Sequence, residues 1–245
     1  MNKVEIIAHR GASAVCPENT MHAFERALEL GATGIETDVQ MSADGRLVLI
    51  HDETLQRTAG TTGWVKDCTY DMLRTLDAGS WFHPDFAGES IPSLEMLFNL
   101  VQGRRVLLNL ELKNGIVPYK GMEEKVIQVI REWDMEQQVV LSSFNHASLV
   151  KCKRIAPDIR TALLYMEKLY RPHDYAAKLE ASGLHPYKMA ASEEEVAAAL
   201  AQGIVTYPFT VNDPDEMKRM IEMGVQGIIT DLPDVLVSLM TVRTR

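Results

Sequence analysis

The sequence predicts an α/β fold, a β/α (TIM-type) barrel of eight parallel strands, and three observations carry that expectation. Short apolar runs alternate with amphipathic stretches of helical period, as parallel strands joined by right-handed crossovers require. Eight strand–helix units fit within 245 residues, the usual size of one such barrel. Costly polar side chains collect at strand ends, where barrels of this kind carry their chemistry.

The strand-like runs lie at 4–8, 34–41, 47–50, 105–112, 138–144, 160–165, 183–187, 204–211 and 226–230. Only Ser42-Ala43-Asp44-Gly45-Arg46 separates the second run from the third. A parallel crossover needs a dozen residues, so this link is read as a hairpin and 47–50 as an excursion from the barrel. Amphipathic helices are expected over 20–30, 121–133, 192–202 and 213–223. Asn19, Ser93, Asn145, Ser192 and Asp213 are expected N-caps, and Gly31, Gly183, Gly203 and Gly224 expected helix stops. The Thr-, Gly- and Asp-rich segment at about 52–92, carrying Trp64, Trp81 and Phe82, is too long for a barrel loop. It is read as a small insertion subdomain above the barrel mouth, within a single domain spanning 1–245.

Bulk properties narrow the function. A formal charge of −9 and the lack of a basic stripe argue against nucleic acid as a partner. Apolar residues at 46% and charged residues at 24% suit a chain with a sizeable buried core. Cys16, Cys68 and Cys152 are odd in number and widely spaced, so reduced, packed thiols are expected instead of disulfides or a metal knot. No run of 18 apolar residues is present, and the first strand begins too early for a charged and then apolar leader. The expected setting is the cytoplasm, with no stable membrane association; a monomer and a homodimer would look alike in such an acidic chain.

The polar residues fall in a pattern. The first strand ends in His9-Arg10, the second carries Glu36 and Asp38, the hairpin returns to His51-Asp52, the third carries Glu111 and Lys113, and the last ends at Asp231. Residues two apart in a strand share a face, so Glu36 and Asp38 point into one volume, and Glu111 and Lys113 repeat the geometry one strand over. Carboxylates forced together in a low dielectric repel unless a cation lies between them. One reading is a buried salt-bridge network with Arg10 and Lys113; the favoured one, given Glu111 and two histidines at the same mouth, is a cation site. Three oxygen ligands without a cysteine suit one divalent cation, Mg²⁺ or Ca²⁺, with Mn²⁺ a further candidate. A free histidine titrates near neutrality, so the pair His9 and His51 can serve as general base and general acid. Arg10 and Lys113 make a cationic focus suited to a phosphate on a small anionic substrate.

These residues resemble the glycerophosphodiester phosphodiesterases, in the order H-R-G (9–11), P-E-N-T (17–20), E-x-D-V (36–39), D-G-x-x-V-x-x-H-D (44–52) and R-T (57–58). The likeness continues through NLELK (109–113), LSSF (141–144), PFTVN (208–212) and GVQGIITDLPDVL (224–236). The resemblance implies a β/α barrel with an insertion after the H-D motif, hydrolysing glycerophosphodiesters to sn-glycerol 3-phosphate and an alcohol. It implies Glu36, Asp38 and Glu111 as metal ligands, His9 and His51 as the acid/base pair, and Arg10 and Lys113 as phosphate neutralisers. Many relatives have an aromatic residue, often Trp, before T-V-N, whereas here Phe209 keeps the aromatic wall and lacks the indole donor, which bears on headgroup preference. His185-Pro186-Tyr187-Lys188 either reaches the substrate or is an ordinary strand end. Glu18 either orients Arg10 or His9, or sits in a first helical turn.

Two other functions fit the same pocket: a lysophospholipase D or phospholipase acting on lipids, against which the lack of an extended apolar and basic surface counts, and a silent barrel that binds glycerophosphodiesters. Intact His9, His51, Glu36, Asp38 and Glu111 favour catalysis.

Overall fold

The computed structural model describes residues 4–242. Strand β1 (Glu5–His9) leads to helix α1 (Met21–Glu29), then to β2 (Gly34–Met41) and the short return β3 (Leu47–Leu49). The single turns α2 (Gln56–Ala59) and α3 (Tyr70–Leu73) precede α4 (Leu94–Val101). Strand and helix then alternate through β4 (Leu107–Leu112), α5 (Met122–Glu132), β5 (Val139–Ser143), α6 (His146–Ile155), β6 (Arg160–Tyr165) and α7 (Pro172–Lys178). The chain finishes with β7 (Gly183–Pro186), α8 (Glu193–Ala201), β8 (Val205–Thr206), α9 (Pro214–Met223), β9 (Gly227–Thr230) and α10 (Pro233–Val242).

Eight strands pair in parallel in the order β8-β7-β6-β5-β4-β2-β1-β9, and β3 lies antiparallel on β2 as the short 42–46 link demands. Backbone hydrogen bonds bring the two edges together: Gln226 N to Thr206 O at 3.3 Å, Ile229 N to Pro208 O at 3.0 Å and Val211 N to Ile229 O at 3.0 Å. The result is a nearly closed barrel with helices between its strands. The strand expected over 204–211 is regular only at Val205–Thr206, because Pro208 has no N–H to give the ladder; pairing resumes at a single bridge between Tyr187 and Phe209.

Helix ends follow local chemistry with three departures from expectation. The side chains of Asn145, Ser192 and Asp213 cap α6, α8 and α9, and Gly203 and Gly224 follow helices in left-handed conformations. Thr20, not Asn19, caps α1, accepting from Ala23 N at 3.2 Å, which frees the Asn19 amide for the site. Ser93 precedes α4 without a side-chain cap bond; its backbone bridges to Val48. Gly183 lies inside β7, where a Cβ would come 3.1 Å from that of Ala162 on β6; the left-handed residue after α7 is Glu180.

The main core lies between the barrel and its helices, with Phe24, Leu94, Leu97, Phe98, Leu108, Leu110 and Leu141 fully buried. Each such side chain contributes roughly 1.5–3 kcal/mol. The segment between β3 and α4 has its own cluster of Val48, Ile50, Leu55, Val65, Leu73, Ala78 and Ile91. The three cysteines are free, with Cys16 and Cys152 buried. Among the described residues no helix is long and apolar enough to cross a membrane. Register sets the interior layers: His9 pairs with Glu36 and Glu36 with Asn109, and one step further Asp38 pairs with Glu111 and Glu111 with Ser142.

Candidate active site

The first strand ends abruptly. Arg10 (φ 55°) and Gly11 (φ 85°) both take left-handed backbone, and a Cβ on Gly11 would meet the Ala23 carbonyl carbon at 2.6 Å, so only glycine fits there. The turn is held from β2: Arg10 N donates to the Glu36 carbonyl at 2.9 Å and to Glu36 Oε2 at 3.0 Å. It leaves His9 facing the barrel axis and swings the Arg10 guanidinium over β2.

His9 Nδ1 lies 2.6 Å from Asp231 Oδ1, beyond the end of β9. An ionised carboxylate only accepts, so Nδ1 carries the proton of this bond and Nε2 is left towards Glu36 Oε2, 4.0 Å away. Burial opposes the imidazolium, but the Asp231 hydrogen bond and the charge of Glu36 outweigh it and raise the His9 pKa. Asn212 fixes the acid: its Nδ2 donates to Asp231 Oδ2, and its Oδ1 accepts from Asp231 N at 2.9 Å.

Glu36 and Asp38 are 4% and 0% exposed. One oxygen from each, together with one from Glu111, lies within 4.8 Å of the others. Burial, reinforced by the charge of Asp38, pushes the Glu36 carboxyl up to about 8, and the same two causes raise Glu111. Asp38 goes the other way: burial is outweighed by Arg10 and Lys113, and its pKa falls. Arg10 Nε lies 3.2 Å from Asp38 Oδ2, and Lys113 Nζ lies 3.0 Å from Glu111 Oε1 and 3.7 Å from Asp38 Oδ1. Two cations thus face three carboxylates, and Arg10 is shared with Glu18 at 2.9 Å. The salt-bridge network exists but leaves negative charge over, and buried Asp38 Oδ1 has no hydrogen-bond donor. An orphaned buried carboxylate oxygen beside two carboxyls that hold protons too tightly fits a hard divalent cation.

The second histidine is placed by β2 as well. Buried Gln40, next on the face that carries Glu36 and Asp38, donates from Nε2 to the carbonyls of Ile50, His51 and Asp52 at 3.1, 3.0 and 2.7 Å. Its Oε1 accepts from the Tyr119 hydroxyl at 2.8 Å. His51 Nδ1 lies 2.6 Å from Asp52 Oδ1, the same arrangement as His9 with Asp231. His9 Nε2 faces Glu36, and His51 is within electrostatic reach of Asp38 and Glu111, so the imidazoles flank the acidic cluster.

His9, Glu36, Asn109, Glu111, Leu164, Phe209 and Ile229 line one cavity. Phe209 meets Phe144 and Tyr187 edge to face at 6.0 and 6.3 Å, forming an aromatic wall. His185 lies one layer deeper: buried, stacked on Tyr207 at 5.4 Å and 3.5 Å from Asn109 Nδ2, its pKa driven down to about 3 by burial, it lines a separate cavity of about 190 Å³ with Val140, Arg160, Ala162, Gly183 and Val205. Of the 185–188 stretch, Tyr187 reaches the wall, and Lys188 pairs with Glu216. Glu18 precedes α1 and holds Arg10, which decides between its two readings.

Sequence reasoning gave no site role to Asn19, Gln40, Arg57 and Asn212, although the motifs P-E-N-T, R-T and PFTVN contain three of them. Gln40 had a signal in the two-residue period 36, 38, 40. Asn19, whose Nδ2 donates to Asp38 Oδ2 at 2.9 Å, was masked by its resemblance to a cap.

Comparison with known proteins is decisive at this point: the model of the glycerophosphoryl diester phosphodiesterase family matches residues 9–235. The chain belongs to that family. It is an enzyme of that class, and the family includes a glycerophosphodiester phosphodiesterase from Caldanaerobacter subterraneus subsp. tengcongensis that is 48% identical over 97% of this chain and 98% of its own. A phosphodiesterase from Oleispira antarctica, solved in complex with the product sn-glycerol-3-phosphate, superposes with a TM-score of 0.87 at 30% identity, covering 97% of this chain and 96% of that one. The glycerophosphodiester phosphodiesterase from Thermotoga maritima gives 0.80 at 26% identity, covering 98% of this chain and 100% of that one. The family is generally dependent on a divalent metal, and Glu36, Asp38 and Glu111 form an acidic cluster of the kind that can hold one.

Proposed function

We propose that this phosphodiesterase hydrolyses glycerophosphodiesters to sn-glycerol 3-phosphate and an alcohol, using His9 and His51 as its acid/base pair and a divalent cation held by Glu36, Asp38 and Glu111. The observation that carries the reading is the convergence of those three carboxylates between two histidines, each tied at Nδ1 to its own aspartate. The product bound to the Oleispira antarctica relative supports the substrate class. When bound, the cation would supply Lewis-acid chemistry, neutralising phosphoryl charge and acidifying a hydroxyl.

The protein's own groups do the rest. Arg10 and Lys113 draw the phosphate into the mouth and balance its non-bridging oxygens. One histidine accepts the proton of the glycerol 2-hydroxyl at Nε2 while that oxygen attacks phosphorus in line; the other gives a proton to the departing alcohol. Water then opens the cyclic phosphate with the two roles exchanged, so both imidazoles return to their starting states. Asp231 and Asp52 hold each ring in the tautomer that presents Nε2. The wall of Phe209, Phe144 and Tyr187 borders the alcohol headgroup. Residues 1–245 act as one barrel unit, with 52–92 as an insertion that reaches the site.

A second substrate class, lysophospholipids, is favoured by one observation. Ile116 (70% exposed), Phe144, Met166, Tyr170 (91%) and Met189 are apolar side chains standing open on the loops after β4 to β7, around the mouth. The test of both is release of sn-glycerol 3-phosphate from glycerophosphocholine, glycerophosphoethanolamine and glycerophosphoglycerol, alongside choline release from lysophosphatidylcholine. Each is measured after chelation and with Mg²⁺, Mn²⁺ or Ca²⁺ restored. Cation-dependent release from the water-soluble diesters is expected; turnover of the lysolipid alone would favour the second class, and no turnover of any would overturn both.

A further inference from the structure

Arg57 is a residue of the β3–α4 segment that reaches into the machinery. It stands on the single turn α2, and its guanidinium grips two carboxylates at once. Nε and Nη2 donate to Asp52 at 2.8 and 2.9 Å, and Nη1 and Nη2 to Glu18 at 2.7 and 2.8 Å. The Trp81 ring lies over it at 5.8 Å, itself fixed by Nε1 donating to the Ala78 carbonyl at 2.8 Å.

Beyond each carboxylate lies a working group. Asp52 Oδ1 is also bonded to His51 Nδ1, and Glu18 Oε1 also accepts from Nη1 of Arg10, a residue whose Nε in turn faces Asp38. Hydrogen bonds therefore run from His51 through Asp52, Arg57 and Glu18 to Arg10, and an ion pair carries the chain on to Asp38. We propose that Arg57 is a positioning residue that couples the His51 proton-transfer group to the Arg10 phosphate-binding group, so that each is held in place only when the other is. The coupling rests on the reading of His51 and Arg10 given above.

The geometry explains why an arginine is needed. Only a planar fork can serve two carboxylates in one plane; a lysine ammonium is a point charge and would choose between them. Without it Glu18 has both oxygens free for Arg10 and draws that guanidinium away from the phosphate, while Asp52 faces a second carboxylate with nothing between them. The hydrogen bonds from Arg57 also hold the Asp52 carboxyl well below its usual range, so it stays an acceptor for His51.

The test is a double-mutant cycle between Glu18→Gln and Asp52→Asn, two residues joined through Arg57, repeated with Arg57→Gln. Each single change is expected to lower kcat/KM by about 10- to 100-fold. The double variant should lose much less than the product of the two, by a factor of at least about 5, and that non-additivity should vanish or change sign with Arg57→Gln. Arg57→Lys should fail to restore kcat, while added guanidinium should partly rescue Arg57→Gly. A second readout is independent of turnover: the downfield Nδ1 proton resonance of His51, assigned with His51→Gln, should shift in Glu18→Gln while that of His9 stays in place. Multiplicative losses, wild-type kcat in Arg57→Lys, or an unmoved His51 resonance would overturn the coupling. A wild-type protein that turns nothing over but shows the resonance shift would overturn the proposed reaction and leave the coupling standing.

Discussion

Replacing Glu36 with glutamine is expected to make the cation-free protein more stable, and to do so increasingly with pH. The buried Glu36 carboxyl is pushed from its ordinary 4.5 up to about 8 by burial and by Asp38. Its folded-state pKa lies above the unfolded value, so the native state holds the proton more tightly, and stability from this group is present at low pH and lost as pH rises from about 4.5 to about 8. At roughly 1.4 kcal/mol for each pKa unit, the loss is on the order of 3 kcal/mol by pH 7 and somewhat more by pH 9. Glutamine mimics the protonated acid and is spared this loss. Urea unfolding in the presence of chelator at pH 5, 7 and 9 measures it: Glu36→Gln should lie within about 1 kcal/mol of wild type at pH 5 and exceed it by a widening margin at 7 and 9. Saturating Mg²⁺ or Mn²⁺ should reverse the order, because only the native wild type gains binding free energy. A difference that does not change with pH, or a variant less stable than wild type at pH 9 with chelator, would refute the account of the cluster.

Other outcomes follow from the same geometry. His9→Ala and His51→Ala should each lower kcat by about 10²- to 10⁴-fold; full turnover in either would remove that residue from the acid/base pair. Asp231→Asn takes away the hydrogen bond that raises the His9 pKa, so the limb of the kcat/KM profile belonging to His9 should move to lower pH, with activity down about 10- to 100-fold. Phe209→Ala should re-rank the headgroups through KM, and Phe209→Trp should favour headgroups able to accept from an indole N–H, both read from competition among the three diesters. Gly11→Ala forces a Cβ to within 2.6 Å of Ala23 in left-handed backbone, and a thermal melt should show a loss of at least about 1–3 kcal/mol together with lost activity.

The barrel was legible because its signal is periodic: runs such as Leu107–Leu112 and Val139–Ser143 are apolar on the outward face and can be counted along the chain. The same two-residue period gave Glu36, Asp38 and Glu111, whose convergence needs only strand geometry and parallel register. What stayed hidden depends on loops. Arg57 belongs to a four-residue helix with no period of its own, and its partner Glu18 lies 39 positions earlier. Asn19 looks like a cap because a short amide before a helix usually is one, and only its left-handed backbone turns it towards Asp38. Pro208 within an apolar run was the available warning that the eighth strand would be short.

The bond between His9 and Asp231 spans 222 positions and joins the first barrel strand to the chain just past the last. His9 is made 222 positions ahead of Asp231, so its Nδ1 has no carboxylate partner until the last barrel strand has been made and has docked. Competence for chemistry therefore arrives with completion of the barrel. Fragments ending before Asp231 should be inert however well their early strands fold, and catalytic turnover serves as a reporter of ring closure in refolding experiments, sensitive to a step that helix content alone would miss.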